Sequence, residues 1–249
     1  MSVLMTRQLH IVHDETIVQP FDWTVNAGEK WAVLGANGAG KSSLLHALLG
    51  VEQTVLPHIF LDNHPLSTLK PEQQARKRVW VPQRYDEPFS ITVRQALNSI
   101  GHELTAPLVD ACLDEFGLLH HQNAWVHLLS GGERQRLTWA MAAARHTADT
   151  QLWLLDEPLA AQDLAWQHVL LKKLAHLPCA VIAAVHDLNQ VQQFATHILV
   201  LTPSDQGQGS QVHCGTIDEM MRTDLLSRVY GVALRQDLSA DGKSHWWRV

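Results

Sequence analysis

No stretch of this sequence approaches the roughly 18 apolar residues that a membrane-spanning helix needs, so no span is predicted. Met1–Gln8 carries no hydrophobic signal core, and the expectation is that nothing exports the chain. Cysteine is sparse. Cys112, Cys179 and Cys214 are scattered, odd in number and without metal-ligand spacing, which predicts free thiols in a reducing cytoplasm. An excess of positive charge is also missing. Lys and Arg number 19 against 25 Asp and Glu, a net charge of −6, so no basic field collects nucleic acid and none is expected as a partner. No internal repeat or low-complexity block interrupts the chain, which argues against a solenoid or a linker-rich protein.

What is present is a globular composition, 46% apolar and 18% charged, in a chain of 249 residues that is long enough to bury a core without staples. Histidine (16) and tryptophan (9) are abundant. His120, His121 and His127 lie close in sequence but lack a second pair at zinc-like spacing, and they read as solvated or capping residues. Trp23, Trp31, Trp80, Trp139, Trp153 and Trp166 fall inside apolar segments and read as packing residues.

Apolar runs of strand length alternate with helical patterns. Lys30–Gly35, His58–Leu61, Val79–Val81, Gln151–Asp156 and Ala180–Val185 read as strands, and the fully apolar ones suit parallel strands covered on both faces. Lys41–Leu49, Gly131–Ala144, Asp163–Leu177 and Leu188–Ala195 read as the helices between them. The predicted fold is α/β, a phosphate-loop core on a mostly parallel sheet with antiparallel elements at the termini. Residues 85–128 carry helical patterns at Val93–Ile100 and Leu108–Phe116 and no strand, which predicts a small helical subdomain set into a core of residues 1–84 and 129–249. Two hairpins are expected near the end. Ile198–Leu201 and Gln211–Cys214 flank Ser204–Ser210, and Ala233–Leu238 and Ser244–Val249 flank Ala240–Lys243 with its Asp-Gly signal. Trp246 and Trp247 then read as strand packing residues.

The first chemical motif is Gly35, Ala36, Asn37, Gly38, Ala39, Gly40, Lys41 and Ser42, a Gly-x-x-x-x-Gly-Lys-Ser loop between a strand and a helix. Successive backbone N–H groups of such a loop cradle phosphate oxygens, and glycine is needed where the chain curls past ordinary φ. Lys41 supplies positive charge at the β- and γ-phosphates, the Ser42 hydroxyl is a Mg²⁺ ligand, and the helix amino terminus carrying Ser43 adds its dipole. Nucleoside triphosphate binding is predicted. The second motif ends the Leu152–Asp156 run in two acids. Asp156 fits a strand carboxylate that holds Mg²⁺, and Glu157 fits the group that orients an attacking water and takes its proton.

Between these stands Leu129-Ser-Gly-Gly-Glu-Arg-Gln-Arg136, and here the chain resembles the ATP-binding cassette (ABC) ATPases. Ser130, Gly131, Gly132 and Glu133 match that family's signature. Gln83 matches its Q-loop glutamine, a further Mg²⁺ ligand, Asp163 its D-loop aspartate and His186 its switch histidine, all in the family's order over roughly residues 4–215. The physics of the signature stands by itself: Ser130 caps a helix at Gly131, and bare glycines leave its N–H groups open to an anion. The resemblance implies a head-to-tail homodimer in which Ser130, Gly131 and Gly132 of one chain close on ATP held by Lys41 of the other. ATP then drives closure, and hydrolysis opens the pair. Two departures stand out. Gln162 in Ala160-Ala-Gln-Asp163 sits where the family has an apolar residue, in the loop between the two sites. No aromatic stands near residues 10–15 to stack on adenine, so His10 or His13 is the substitute.

Without spans, a transport function implies two separate permease subunits, docked at a groove beside Gln83 with Tyr85–Val93 as its lip. The chain would sit peripherally on the cytoplasmic face of the inner membrane, with a periplasmic or surface substrate-binding protein acting through the permease. The tail, Gly215–Met220 followed by Leu225 and Val229–Ala233, looks like that of cassettes serving cobalamin, siderophore and haem importers, most of all cobalamin. A molybdate or other small-solute transporter is the alternative, and a non-transport ABC ATPase a further one.

Overall fold

The computed structural model describes residues 1–12, 16–85, 89–100, 104–204, 209–238 and 245–248. In chain order the elements are β1 (Ser2–Val12), β2 (Thr16–Asn26), β3 (Lys30–Gly35), α1 (Lys41–Leu48), β4 (Ile59–Leu61), β5 (His64–Pro65), α2 (Pro71–Lys77) and β6 (Arg78–Val81). Then come α3 (Val93–Asn98), α4 (Ala106–Glu115), α5 (Gly131–Arg145), β7 (Leu152–Asp156), α6 (Leu164–His176), β8 (Ala180–Ala184) and α7 (Leu188–Phe194). The chain closes with β9 (His197–Pro203), β10 (Ser210–Thr216), α8 (Ile217–Met220), α9 (Thr223–Tyr230), β11 (Arg235–Leu238) and β12 (His245–Arg248).

Ten strands form one sheet in the order β5-β4-β1-β2-β10-β9-β3-β8-β7-β6. The run β9-β3-β8-β7-β6 is parallel throughout, and β3, β7 and β8 are buried at every residue. Their side chains alternate between two cores. Ala32, Leu34, Trp153, Leu155, Val181 and Ala183 point to the face covered by α3–α7 and α9. Trp31, Val33, Leu152, Leu154, Ile182 and Ala184 point to the face covered by α1 and the antiparallel β1, β2 and β4. Continuous apolar runs were therefore the right sign of strands covered on both sides. The helices α3 and α4 lie against α5 through Val93, Leu97, Val109, Leu113, Leu137 and Trp139, which belong to the first core.

The sequence reading expects antiparallel elements at the termini but gives no strand bounds before Lys30, and the structure supplies them there. β1 and β2 are the longest strands of the molecule, 11 residues each. Their pairing slips register between Ser2 and Leu4, between Thr6 and Leu9, and again at Leu9, Ile11 and Val12. Each slip breaks the period-two alternation by which a strand is recognised. Gln8 sits inside β1 at φ 49, with its N–H donating to Asp22 Oδ1 at 2.6 Å. Pro20 further disguises β2. His58 ends a 3-10 turn, Gln53–His58, rather than opening β4. Both C-terminal hairpins form, β9 with β10 and β11 with β12, although residues 205–208 and 239–244 lie outside the described residues. Trp247 is buried but Trp246 is 55% exposed, because neighbours on a strand point to opposite faces and only one of them can pack.

Candidate functional site

The turn from β3 into α1 is built by glycine. Gly38 and Gly40 take left-handed φ of 78 and 98, and Gly40 occupies the N-cap position of α1. A Cβ at Gly40 would stand 2.6 Å from Ile17 Cγ2, so the loop passes close beneath β2. Ser210 Oγ donates to the Ala39 carbonyl at 2.9 Å and ties the loop to β10. Gly40 brings no side-chain cap to α1, so the first-turn N–H groups of the helix are left to an anion. Lys41 is buried, and its Nζ donates to the carbonyls of Gly35 at 2.8 Å and Ala36 at 3.0 Å. Burial pushes its ammonium below the ordinary lysine value, with the charges of Glu157 and Asp156 opposing part of the effect.

Those two acids end β7 beside the loop. Asp156 is buried, and burial raises its carboxyl above the usual carboxylate range, as does the adjacent Glu157 charge. A hydrogen bond from Ser42 and the charges of His46 and Lys41 work the other way. Asp156 Oδ1 has no hydrogen-bond partner although it is fully enclosed. An orphaned carboxylate oxygen beside a serine hydroxyl is a hard-oxygen donor set, and it fits Mg²⁺.

Glu157 stands at φ 46, a strained backbone for a non-glycine residue, with its N–H held by the Ala184 carbonyl at 3.1 Å. His186, two residues past the end of β8, donates from Nε2 to Glu157 Oε1 at 2.5 Å. Burial raises the Glu157 carboxyl, but the hydrogen bonds from His186 and Gln83 and the charges of His186 and Lys41 outweigh it. The group ends below its ordinary value and is ionised at neutral pH. Trp139 Nε1 of α5 donates to the carbonyl of the following Pro158 at 2.9 Å and pins this turn from below.

The structure thus brings Lys41, Ser42, Gln83, Asp156, Glu157 and His186 to the carboxyl ends of parallel strands, where ligands of open α/β sheets bind. Ser130, Gly131, Gly132 and Glu133 are placed elsewhere. Glu133 Oε2 accepts from the Ser130 N–H at 2.8 Å and hydroxyl at 2.7 Å, a capping box that opens α5. His121 Nε2 donates to the other oxygen, Oε1, at 2.9 Å, so one of the clustered histidines supports the cap. Among the described residues, the close neighbours of Gly131 and Gly132 are Ala161 and Gln162, not the phosphate loop. Asp163 caps α6, its Oδ1 accepting from Trp166 N–H at 2.9 Å. Of the two candidates for adenine, His13 lies outside the described residues. The His10 ring meets His58 edge-on, with centroids 5.4 Å apart. Sequence reasoning missed Ile17, Ser210 and Trp139 as supports of the site. Ser210 is separated from its partner by 171 positions, and no local pattern marks such a contact.

A parallel sheet with this loop, these strand-end acids and a glycine-rich helix amino terminus defines a phosphate-loop ATPase. The family model described as "ABC transporter" matches residues 18–160, more than half of the chain. The hemin import ATP-binding protein HmuV of Rhodopseudomonas palustris (strain HaA2) is 32% identical over 245 residues, 91% of this chain and 89% of that protein. Its namesake in Myxococcus xanthus (strain DK1622) is 33% identical over 231 residues, 87% and 85% of the two chains. An inward-facing metal-chelate type ABC transporter aligns with TM-score 0.77 at 24% identity, covering 99% of this chain and 96% of that one. A bacterial Atm1-family ABC exporter with ATP bound aligns at TM-score 0.76 and 21% identity, over 90% of this chain and 40% of that one, which is likeness of fold. The chain belongs to the ABC transporter family as an ATP-binding domain, an ATPase coupled to transport. No described helix is long and apolar enough to cross a membrane.

Proposed function

We propose that this chain is the ATP-hydrolysing subunit of an importer for a metal chelate, hemin first, and that it works as a head-to-tail homodimer beneath two permease subunits. The observation that carries the reading is the division of the site. Lys41, Asp156 and Glu157 meet around one phosphate loop, while the anion-ready end of α5 faces Ala161 and Gln162 of the same chain. Such a chain holds half of each site, and a second copy supplies Ser130, Gly131 and Gly132.

In the proposed cycle the loop N–H groups and Lys41 bind the phosphates of ATP. Ser42, Asp156 and Gln83 would hold Mg²⁺, which neutralises phosphate charge when bound. Glu157, ionised and held by His186, orients the attacking water and takes its proton as the water oxygen bonds to the γ-phosphorus and the bond from that phosphorus to the β,γ-bridging oxygen breaks, with ADP as the leaving group. In the same assembly Asp163 and Glu133 lie near the nucleotide of the pair, residues 85–128 form a helical subdomain, and the permease docks at a groove beside Gln83. Residues 86–88 of its lip lie outside the described residues. A peripheral position on the cytoplasmic face of the inner membrane, and a substrate-binding protein on the other side, follow from the import reading.

The cargo rests on the relatives, which are named as hemin import proteins. The tail resemblance keeps cobalamin within the same chemical class, a metal held by a macrocycle. Proteoliposomes holding the chain with its permease should take up hemin when ATP is supplied. Uptake of cobalamin or a ferric siderophore in its place would move the cargo, and uptake of none would overturn the import reading. Glu157→Gln should keep ATP binding, lower turnover about 100-fold or more and yield an ATP-stabilised dimer. Hydrolysis at the parent rate would remove Glu157 from the mechanism.

A further inference from the structure

Three of the buried indoles hold a partner for their N–H. Trp31 Nε1 donates to Glu29 Oε2 at 2.8 Å, Trp139 Nε1 to the Pro158 carbonyl at 2.9 Å and Trp153 Nε1 to His146 Nδ1 at 3.0 Å. Trp23, which is 4% exposed, differs: its Nε1 is enclosed and has no hydrogen-bond partner among the described residues. Thr6, 1% exposed, stands directly opposite Trp23 on β1. Its Oγ1 is enclosed and unpartnered among the described residues in the same way. Buried polar groups of this kind are normally satisfied, by protein, by water or by a ligand.

Thr6 and Trp23 both line a cleft of about 580 Å³, within the range of about 300–1,000 Å³ that small-molecule sites occupy. The cleft opens where the sheet comes apart. Among the described residues β2 and β10 pair at one position, Val18 with Ser210, and further along the two strands Asp22 and Cys214 line the gap. Its wall is aromatic. The Trp31 ring is fixed by stacking on His197, with centroids 4.7 Å apart, and meets Trp23 edge-on at 5.0 Å and 81°, so the two indoles form a corner. Arg7 and Asp22 contribute one charge of each sign, and the cleft therefore selects for no net charge. Trp31 is the second residue of β3, whereas the phosphate loop leaves the other end of that strand, so the cleft is separate from the phosphate cradle.

We propose that this cleft is a binding site for a flat aromatic molecule bearing a carbonyl oxygen, which accepts from Trp23 Nε1 and Thr6 Oγ1 while the ring lies against Trp23 and Trp31. The indole N–H can only donate, and the threonine hydroxyl beside it donates as readily, so the pair calls for an acceptor. Water would satisfy the donors but leave the aromatic corner uncovered. A molecule with donors alone would leave both groups unpaired. The site is additional to ATP hydrolysis and does not rest on the import reading.

Cys214 reports on the cleft directly, because it is exposed whereas Cys112 and Cys179 are buried. Alkylation of the full chain by iodoacetamide is followed by mass spectrometry, and affinity is measured by calorimetry. The probe is 2-naphthamide. The controls are 2-naphthylmethylamine, which keeps the ring but has no acceptor oxygen, and adenosine. The probe should bind saturably and slow alkylation of Cys214, and neither control should. Thr6→Val exchanges an unpartnered hydroxyl for a methyl group, so the melting temperature should hold or rise while affinity for the probe falls about 3- to 10-fold. Cys214→Trp, at an exposed position, should fill the cleft and abolish binding. Absence of saturable binding overturns the proposal. So does a Thr6→Val variant that binds at the parent affinity, or one that melts several degrees lower, since its hydroxyl would then already be paired. Protection of Cys214 by adenosine but not by the probe would make the cleft part of the nucleotide site and overturn it equally. None of these outcomes bears on Lys41, Glu157 or the shared-site reading.

Discussion

A side chain at position 40 meets two obstacles at once. The backbone there has φ 98, and a Cβ would press to 2.6 Å from Ile17 Cγ2. Strain of this kind costs about 1–3 kcal/mol, and relief requires either β2 or the phosphate loop to move. Gly40→Ala is therefore expected to lower stability by that amount in urea titration and to weaken ATP binding measured by fluorescence. A variant that binds ATP with the parent affinity would mean the loop tolerates the shift. The glycine was legible from its motif, but Ile17, the reason alanine fails, was not. At Glu157 residue type and position likewise pointed to a base. What holds it ionised is the pair of hydrogen bonds from His186 and Gln83, outweighing burial. Those partners stand 29 and 74 positions away, at a distance no spacing rule covers.

At the scale of elements, local signals worked where an element is closed by its own residues. The cap of α5 pairs Ser130 with Glu133 three residues on, a pattern readable in one turn of sequence. The strands β3, β7 and β8 declared themselves by continuous apolar runs. β1 and β2 did not, since register slips break their alternation and neither resembles an isolated strand. One contact between elements bears directly on the site. Asn189, three residues after His186, pairs its side chain with both backbone groups of Trp247 on β12, at 2.9 Å to the N–H and 3.3 Å to the carbonyl. The C-terminal hairpin is thereby fastened to α7. Asn189→Ala should cost about 1–2 kcal/mol in chemical denaturation and speed hydrogen exchange of the Trp247 amide. Unchanged exchange there would show that Trp247 burial alone holds the hairpin.

For the whole molecule, the sheet has two covered faces and one working end. The first core joins the parallel strands to α3–α7, and the second joins them to α1 and the antiparallel β1, β2 and β4. The loops 36–40 and 157–163 and His186 emerge at the carboxyl ends of β3, β7 and β8. This geometry leaves the phosphate loop and the signature as separate halves, which leads to a prediction about pairs of chains. Lys41→Ala should fail to bind ATP, and Ser130→Arg should bind it without hydrolysis. Mixed together they should regain an ATP-dependent dimer and measurable turnover, because one mixed site contains Lys41 from one chain and Ser130 from the other. If light scattering and phosphate release show neither, the two halves do not meet between chains.

The sequence by itself determined the chemistry: the phosphate cradle at residues 35–42, the acids at Asp156 and Glu157, the capped helix at Ser130 and the parallel strands beneath them. Each of these is specified by neighbours within one turn or one strand, where residue type and spacing dictate the conformation directly. Only the tertiary structure decided what presses on those residues and what connects them. Ile17 beneath Gly40, His186 on Glu157, Asn189 on Trp247 and Gln162 on Gly132 are contacts between segments tens of residues apart. They exist because the sheet order places β2 beside β10 and β8 between β3 and β7. That order is set by the packing of two cores, a sum over many distant side chains that no single stretch of the chain contains.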